Sequence, residues 1–461
     1  MNIRVGKDIT IQGADNRLLR WCNDNLVLDN PEFHKKQQMG RWTGNTPRTI
    51  SLYSIVGTSL VLPFGTLKDV WKMYPDSSLY SVEITDLRQV KYHSHIKLYD
   101  YQERAVKAAI AAKNGVLVMP TGAGKTQTGL ELISRIGGRA LWLTHTQDLL
   151  NQSKKRAEAV LGYAGSGTIT AGKVNIGNGI TFATVQTMAK IDLEQYRDYW
   201  DVVVIDEAHH AFSAPTRLTQ FGKVIGSLSA RYKIGLTATP KRADGLERGM
   251  FALIGSTIHE VSREDVKHTT APVKVRFIDT GWMPEYDCIL MGDGTIDYHK
   301  VVDAMVHDKD RNELIGDVVS DVAKKGATLV LANRVQYLQS MQAYCDDVKS
   351  VCLSGMGNTK HAKEERKKAL IALNDGEIDC IFSTYALARE GLDIPNLRYV
   401  VFATPEKDPT TVTQSAGRVA RKADGKEYGT VIDFVDSFGM YLGWKKKRLS
   451  IYKKLDYEVM E

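Results

Sequence analysis

The sequence predicts an α/β protein with two parallel-sheet domains in tandem. Three observations predict it. Short, continuously apolar runs recur between stretches of helical periodicity, once within 93–265 and again within 266–436. The runs lack the in–out alternation of a sheet with one wet face, so they read as strands covered on both faces. A polar stretch, Ser262-Arg263-Glu264-Asp265-Val266-Lys267-His268-Thr269-Thr270, divides the two series and reads as a linker.

Taken in order, residues 1–92 carry no chemical motif and are set apart as a small N-terminal accessory domain. The first α/β domain, 93–265, has strand candidates at Gly115–Met119, Ala140–Thr144, Ile180–Thr184, Val202–Ile205 and Lys233–Thr237. The second, 266–436, has them at Ala327–Leu331, Ile378–Phe382, Tyr399–Phe402 and Thr430–Phe434. Within it, segment 281–300, with Gly281, Gly292 and Gly294, reads as a hairpin insertion. Residues 437–461 form a short basic extension whose Lys445-Lys446-Lys447-Arg448 reads as a solvated helix end, able also to touch phosphates.

Composition sets the bounds. The 461 residues exceed one ordinary core, and 43% hydrophobic with 25% charged is usual for a globular chain. No apolar run approaches the ~20 residues that span a bilayer, and the opening Met1-Asn2-Ile3-Arg4-Val5 has no apolar signal core, which points to a cytoplasm and no membrane partner. Cys22, Cys288, Cys345, Cys352 and Cys380 are scattered, which argues against a zinc site or a disulfide framework. A net charge of +7 permits a polyanionic partner without requiring one.

The chemistry begins at Thr121-Gly122-Ala123-Gly124-Lys125-Thr126, between a strand and a helix. Glycines let backbone N–H groups close around phosphate oxygens, and the helix N-terminus adds positive potential. Lys125 would reach the β- and γ-phosphates of ATP, and the Thr126 hydroxyl would ligate Mg²⁺. The strict pattern wants Gly where Met119 stands. About 80 residues on, Asp206-Glu207-Ala208-His209 ends an apolar strand, where open α/β sheets bind ligands. Asp206 can hold Mg²⁺ and Glu207 can orient and deprotonate water. His209 reads as a hydrogen-bonded link to neighbouring motifs, and His210 as a packed or surface imidazole.

With these motifs the chain resembles superfamily 2 helicases with an Asp-Glu-Ala-His box, and the resemblance covers roughly 96–436. It rests further on Leu98-Tyr99-Asp100-Tyr101-Gln102, Gly235-Leu236-Thr237-Ala238-Thr239-Pro240, the segment from Phe382 to Pro395, and Gln414-Ser415-Ala416-Gly417-Arg418-Val419-Ala420-Arg421. The resemblance implies RecA-like motor domains, adenine recognition by Gln102 with Tyr99 stacking, and a ribose contact by Asp393 beside Gly391. It implies a γ-phosphate or water sensor in Gln414, and arginine fingers in Arg418 and Arg421, which complete the site only when the two domains close. A guanidinium suits that role because phosphoryl transfer builds charge on the γ-phosphate oxygens.

The strand-contacting motifs would hold nucleic acid through Thr144, Thr184, Gln186, Thr187 and Thr384, although hydroxyls at strand ends also cap helices. From Phe33 to Lys68 no residue is acidic, and Lys35, Lys36 and Arg41 stand near Trp42. Such a stretch suits a nucleic-acid surface, or equally a solvated face with packed aromatics. The whole arrangement is similar to phage branch-migration helicases of the UvsW type, which implies duplex or branched DNA as substrate. An RNA helicase and an ATP-gated duplex-binding module share the same motifs. Oligomeric state leaves no mark on the sequence.

Overall fold

The computed structural model describes residues 1–162, 165–212, 220–240, 245–353, 359–389, 392 and 394–460. It divides into two compact units, Met1–Pro120 with Gly124–Ser262, and Thr121–Ala123 with Arg263–Glu461.

The first unit opens with β1 (Asn2–Val5), β2 (Asp8–Gln12), β3 (Val27–Asp29), β4 (Thr49–Ser51), β5 (Ser54–Val56), β6 (Ser59–Pro63) and β7 (Tyr80–Val82). Five of them form a sheet in the order β5-β6-β2-β1-β7, and β3 pairs with β4. Alternation along β1, β2 and β6 sends Ile3, Val5, Ile9, Ile11, Leu60 and Leu62 inward. The turn after β6, Phe64–Thr66, lies against the helix Glu247–Ile254 of the same unit. A Cβ on Gly65 would come within 2.4 Å of the Phe251 carbonyl, so no larger residue fits that approach.

An eight-stranded sheet follows, from β8 (Asn114–Val118), β9 (Ala140–Thr144), β10 (Gly167–Thr170), β11 (Lys173–Asn175), β12 (Ile180–Thr184), β13 (Val202–Asp206), β14 (Tyr232–Thr237) and β15 (Thr257–Glu260). Its order is β11-β10-β12-β9-β13-β14-β8-β15, parallel throughout except for β10 with β11. The continuous apolar runs are thus doubly covered strands: β9, β12 and β13 are buried at every residue. The carboxyl ends of β8 and β13 carry the phosphate loop and the acidic pair.

The second unit holds β16 (Val273–Asp279), β17 (Thr328–Ala332), β18 (Ser350–Cys352), β19 (Cys380–Thr384), β20 (Tyr399–Phe402), β21 (Gly429–Val435) and β22 (Glu458–Met460). Every pairing in its sheet, β18-β19-β17-β20-β21-β16-β22, is parallel. Both units therefore have the parallel RecA-like architecture. The polar stretch after Ser262 is not all linker, since Arg263–Val266 is a short helix. In segment 281–300 an antiparallel bridge joins Leu290 to Ile296 around a turn closed by Met291 N–H to Thr295 O, 2.8 Å.

The stretch beyond 436 folds into this unit as the helix Gly439–Lys454 and strand β22, which pairs with β16. Arg448, counted in the sequence among solvated basic residues, is buried. Its guanidinium forks onto both oxygens of Asp433 at 2.7 Å each. A second buried pair, Arg311 with Asp436 at 2.7 Å, is closed by Tyr337 Oη and the Ala403 carbonyl, each 2.8 Å from the guanidinium.

Candidate nucleotide-hydrolysis site

The departure at Met119 has a simple reason. Met119 is buried, its φ is not positive, and its N–H donates to Thr237 O at 2.8 Å, so the residue prolongs β8 where the strict pattern has a turn. The left-handed positions come later, at Gly122 (φ 85°) and Gly124 (φ 75°). A Cβ on Gly124 would sit 2.4 Å from Gln102 Nε2, so glycine is required there twice over. Buried Gln102 thus packs directly on the phosphate loop, and its Oε1 accepts from Tyr99 N–H at 3.0 Å. The exposed Tyr99 ring lies nearly parallel to Tyr101, centroids 5.7 Å apart. The helix Lys125–Ile136 then begins, presenting unsatisfied N–H groups and the half-buried Thr126 at its first turn.

Lys125 Nζ lies 3.7 Å from Glu207 Oε1, so Lys125 and the acidic pair face each other within the first unit. Asp206 is buried at the end of β13; burial and then the neighbouring Glu207 charge push its carboxyl up. Burial acts on Glu207 in the same sense, but Lys125, His209 and His145 together hold it below the ordinary carboxylate value. Glu207 itself has φ 49°, a left-handed conformation that a non-glycine residue adopts at a cost of ~1–3 kcal/mol and that clusters at functional sites.

His209 makes the link expected of it. Its Nδ1 is 3.4 Å from Glu207 Oε2 and 3.1 Å from Thr237 Oγ1, and Thr237 Oγ1 accepts from Thr239 N–H at 3.2 Å. His210 is packed between rings, 4.2 Å from His209 and 4.3 Å from His145, centroid to centroid. His145 was not singled out in the sequence. It stands in the strand-end segment Leu143-Thr144-His145-Thr146, and a titratable ring at a strand's carboxyl end was the available signal.

The residues expected to touch nucleic acid are placed unevenly. Thr144 is buried and donates to Thr146 O at 3.0 Å; Thr184 donates to Thr187 Oγ1 at 3.1 Å. These three hydroxyls are used inside the protein. Thr384 Oγ1 accepts from Leu387 N–H at 3.3 Å, a helix-capping bond. Exposed Gln186 donates to the His145 carbonyl at 2.7 Å. On the N-terminal region Lys35 and Arg41 are exposed, whereas Lys36 is tied to Glu32 at 2.9 Å and to Thr46 Oγ1 at 2.7 Å. Trp42 is 78% exposed beside them, its ring lying over Gly44.

In the second unit Gln414 is half-buried on the helix Pro409–Ala416. Arg418 is buried, and its guanidinium donates to the carbonyls of Ala388 and Leu392. Arg421 bridges Thr270, and its carbonyl accepts from Lys426 Nζ at 2.9 Å. Gly391 and Asp393 lie outside the described residues.

Two parts of the chain match known families. Residues 95–242 match the family model "Type III restriction enzyme, res subunit", and residues 310–423 match "Helicase conserved C-terminal domain". The DNA 3'-5' translocase XPB2 of Sulfurisphaera tokodaii is 26% identical over 364 residues, covering 71% of this chain and 80% of that protein. A putative ATP-dependent RNA helicase of Acanthamoeba polyphaga mimivirus is 24% identical over 371 residues, covering 78% and 67%. The structure of Saccharomyces cerevisiae Dbp5 bound to RNA and ADP BeF3 superposes with a TM-score of 0.55 at 16% identity, covering 79% of this chain and 89% of that one. The two matched domains, on two parallel sheets, define an ATP-binding enzyme of the helicase class. Within that class the chain is a superfamily 2 helicase whose relatives include XPB-like proteins. No helix among the described residues is long and apolar enough to cross a membrane.

Proposed function

We propose that the protein is an ATP-driven DNA helicase or translocase that remodels duplex or branched DNA, in the manner of branch-migration helicases of the UvsW type. The observation that carries the reading is Glu207. It is held ionised beside Lys125, and His209 joins it to Thr237 in the Gly235–Pro240 motif. A carboxylate so placed can orient and deprotonate an attacking water, and its hydrogen-bonded neighbour can pass the outcome along the chain.

Lys125 and the loop from Thr121 to Gly124 would hold the phosphates, with Gln102 and Tyr99 at the base. Thr126 Oγ1 and the Asp206 carboxylate would be two oxygen donors for Mg²⁺. That suits a small hard cation whose remaining ligands come from phosphate and water, and whose bound role is to neutralise charge on the phosphates. Gln414, Arg418 and Arg421 would act on the γ-phosphate, with Gly391 and Asp393 at the ribose. Gln186 and the exposed Lys35 and Arg41 are better placed than the buried threonines to touch a phosphate backbone.

DNA is preferred to RNA because the relatives named for DNA include a translocase matched over most of its length. The mimivirus relative named an RNA helicase keeps the alternative in view. A panel of single strands, duplexes, forks and four-way junctions, in DNA and in RNA, tests the reading with ATP and Mg²⁺. DNA should stimulate hydrolysis, and forks or junctions should be converted. Stimulation by RNA alone would overturn the DNA assignment, and ATP use with every substrate unchanged would favour a duplex-binding module.

A further inference from the structure

A groove of about 750 Å³ lies within the first unit, between the N-terminal sheet and the helix Asp100–Ala112. Its walls are apolar. Phe64, Trp71 and Tyr80 line one side, with the Trp71 and Tyr80 rings 4.8 Å apart; Ala108 and Ala111 line the other, their short side chains leaving the space open. Trp71 and Val82 are 44% and 66% exposed, so apolar surface of the groove is open to a partner.

Two further features narrow what could fill it. Strands β7 and β15 both reach the groove, through Tyr80 and Val82 and through Thr257 and Ile258, and each is the terminal strand of its sheet. Terminal strands carry main-chain N–H and C=O groups able to receive another strand. The charged side chains lining the groove are Lys68, Lys113 and Arg231, with no carboxylate among the lining residues. Arg231 is engaged by Asp86 at 2.9 Å, whereas Lys68 and Lys113 make no ion pair among the described residues.

We propose that this groove docks an extended acidic segment of another protein, anchored by one large apolar side chain. The anchor would enter between Trp71 and the alanine-lined helix, its backbone would add to a sheet edge, and its carboxylates would meet Lys68 and Lys113. A nucleic-acid strand fits less well, because most of the lining is apolar and only three cations are among it.

The test uses the full chain and a fluorescein-labelled peptide, acetyl-Asp-Glu-Asp-Val-Phe-Val-Asp-Glu, followed by anisotropy. Saturable binding is expected, weakening as salt rises. It should drop at least about tenfold when the peptide's Phe becomes Ser or its acids become Lys, an effect on the scale of a lost anchor. Val82→Glu, at an exposed position, should cost a similar factor by repulsion, and Ala111→Trp should do so by filling the groove. Circular dichroism would show that both variants fold. Absence of saturable binding, indifference to both variants, equal affinity for the lysine peptide, or displacement by a single-stranded oligonucleotide would each overturn the proposal. None of these readouts depends on ATP turnover, so the docking site and the helicase reading can fail separately.

Discussion

Buried charge is handled differently at two places, one in each unit. In the second, Arg448 and Asp433 meet through two bonds of 2.7 Å with Tyr452 Oη adding a third at 2.9 Å, and Arg311 and Asp436 are enclosed as fully. In the first, Lys125 and Glu207 stand 3.7 Å apart, beyond a good hydrogen bond, with Asp206 buried alongside. Under the proposed function, the contrast separates charge that fixes a fold from charge that would receive a ligand. Complete coordination leaves an ion pair nothing further to bind; the loose pair retains capacity for phosphate, metal and water.

The sharpest way to break the comparison is Arg448→Ala. It strands the Asp433 carboxylate in the core and should lower stability by about 3–5 kcal/mol, whereas Arg448→Met with Asp433→Leu should recover most of the loss. Urea unfolding measures both, and a cost below ~1 kcal/mol for the single change would show that the pair is not buried as described. Lys125→Ala should reverse the pattern. ATP turnover should fall by about 10²-fold or more, while the unfolding midpoint moves little, because the 3.7 Å pair stabilises the fold only weakly. Near-normal turnover would refute the assignment.

A smaller effect is expected at Lys233, a third kind of buried charge. It lies wholly inside the first unit, over the Phe64 ring at 4.3 Å and near the carbonyls of Lys7 and Ile225, with no carboxylate in an ion pair among the described residues. Burial pulls its amine down to about 7, partly opposed by Asp8. The unfolded chain would then bind more protons than the folded one between about pH 7 and 10.5, so stability should climb across that window as pH rises. Below it, the ammonium is buried at full cost. Lys233→Met should flatten the climb and stabilise the protein at neutral pH by on the order of 2 kcal/mol, the two carbonyl contacts offsetting the rest. Denaturant titrations of both proteins at pH 7 and 9.5 check this; parallel pH profiles would remove Lys233 as the cause.

Local chemistry was legible in the sequence, and tertiary burial was not. The strand runs, the glycines at 122 and 124, and the acidic pair at the end of β13 are short-range patterns, and each stands where periodicity and motif spacing placed it. Arg448 sits in a run of three lysines, and nothing in that run tells which of the four cations turns inward toward Asp433, fifteen positions earlier. The same holds for Thr144, whose hydroxyl is used by a backbone carbonyl two residues on. His145 contacts Glu207's surroundings only because β9 and β13 are neighbours in the sheet, a pairing that crosses about sixty residues. The seven N-terminal strands escaped notice because each has only three to five residues and no motif to mark it.

The place of β16 also sets a timetable. This strand opens the second sheet, yet its two neighbours are β21 and β22, so Val273 pairs with Gly429. At ribosomal speeds of ~5–20 residues per second, its partners emerge on the order of ten seconds after it does. Over that interval the strand has no native edge to join. The second unit is therefore the slower to mature and the more exposed to wrong pairing or to a chaperone's attention, whereas β1 and β2, joined by a two-residue turn, can zip as they appear.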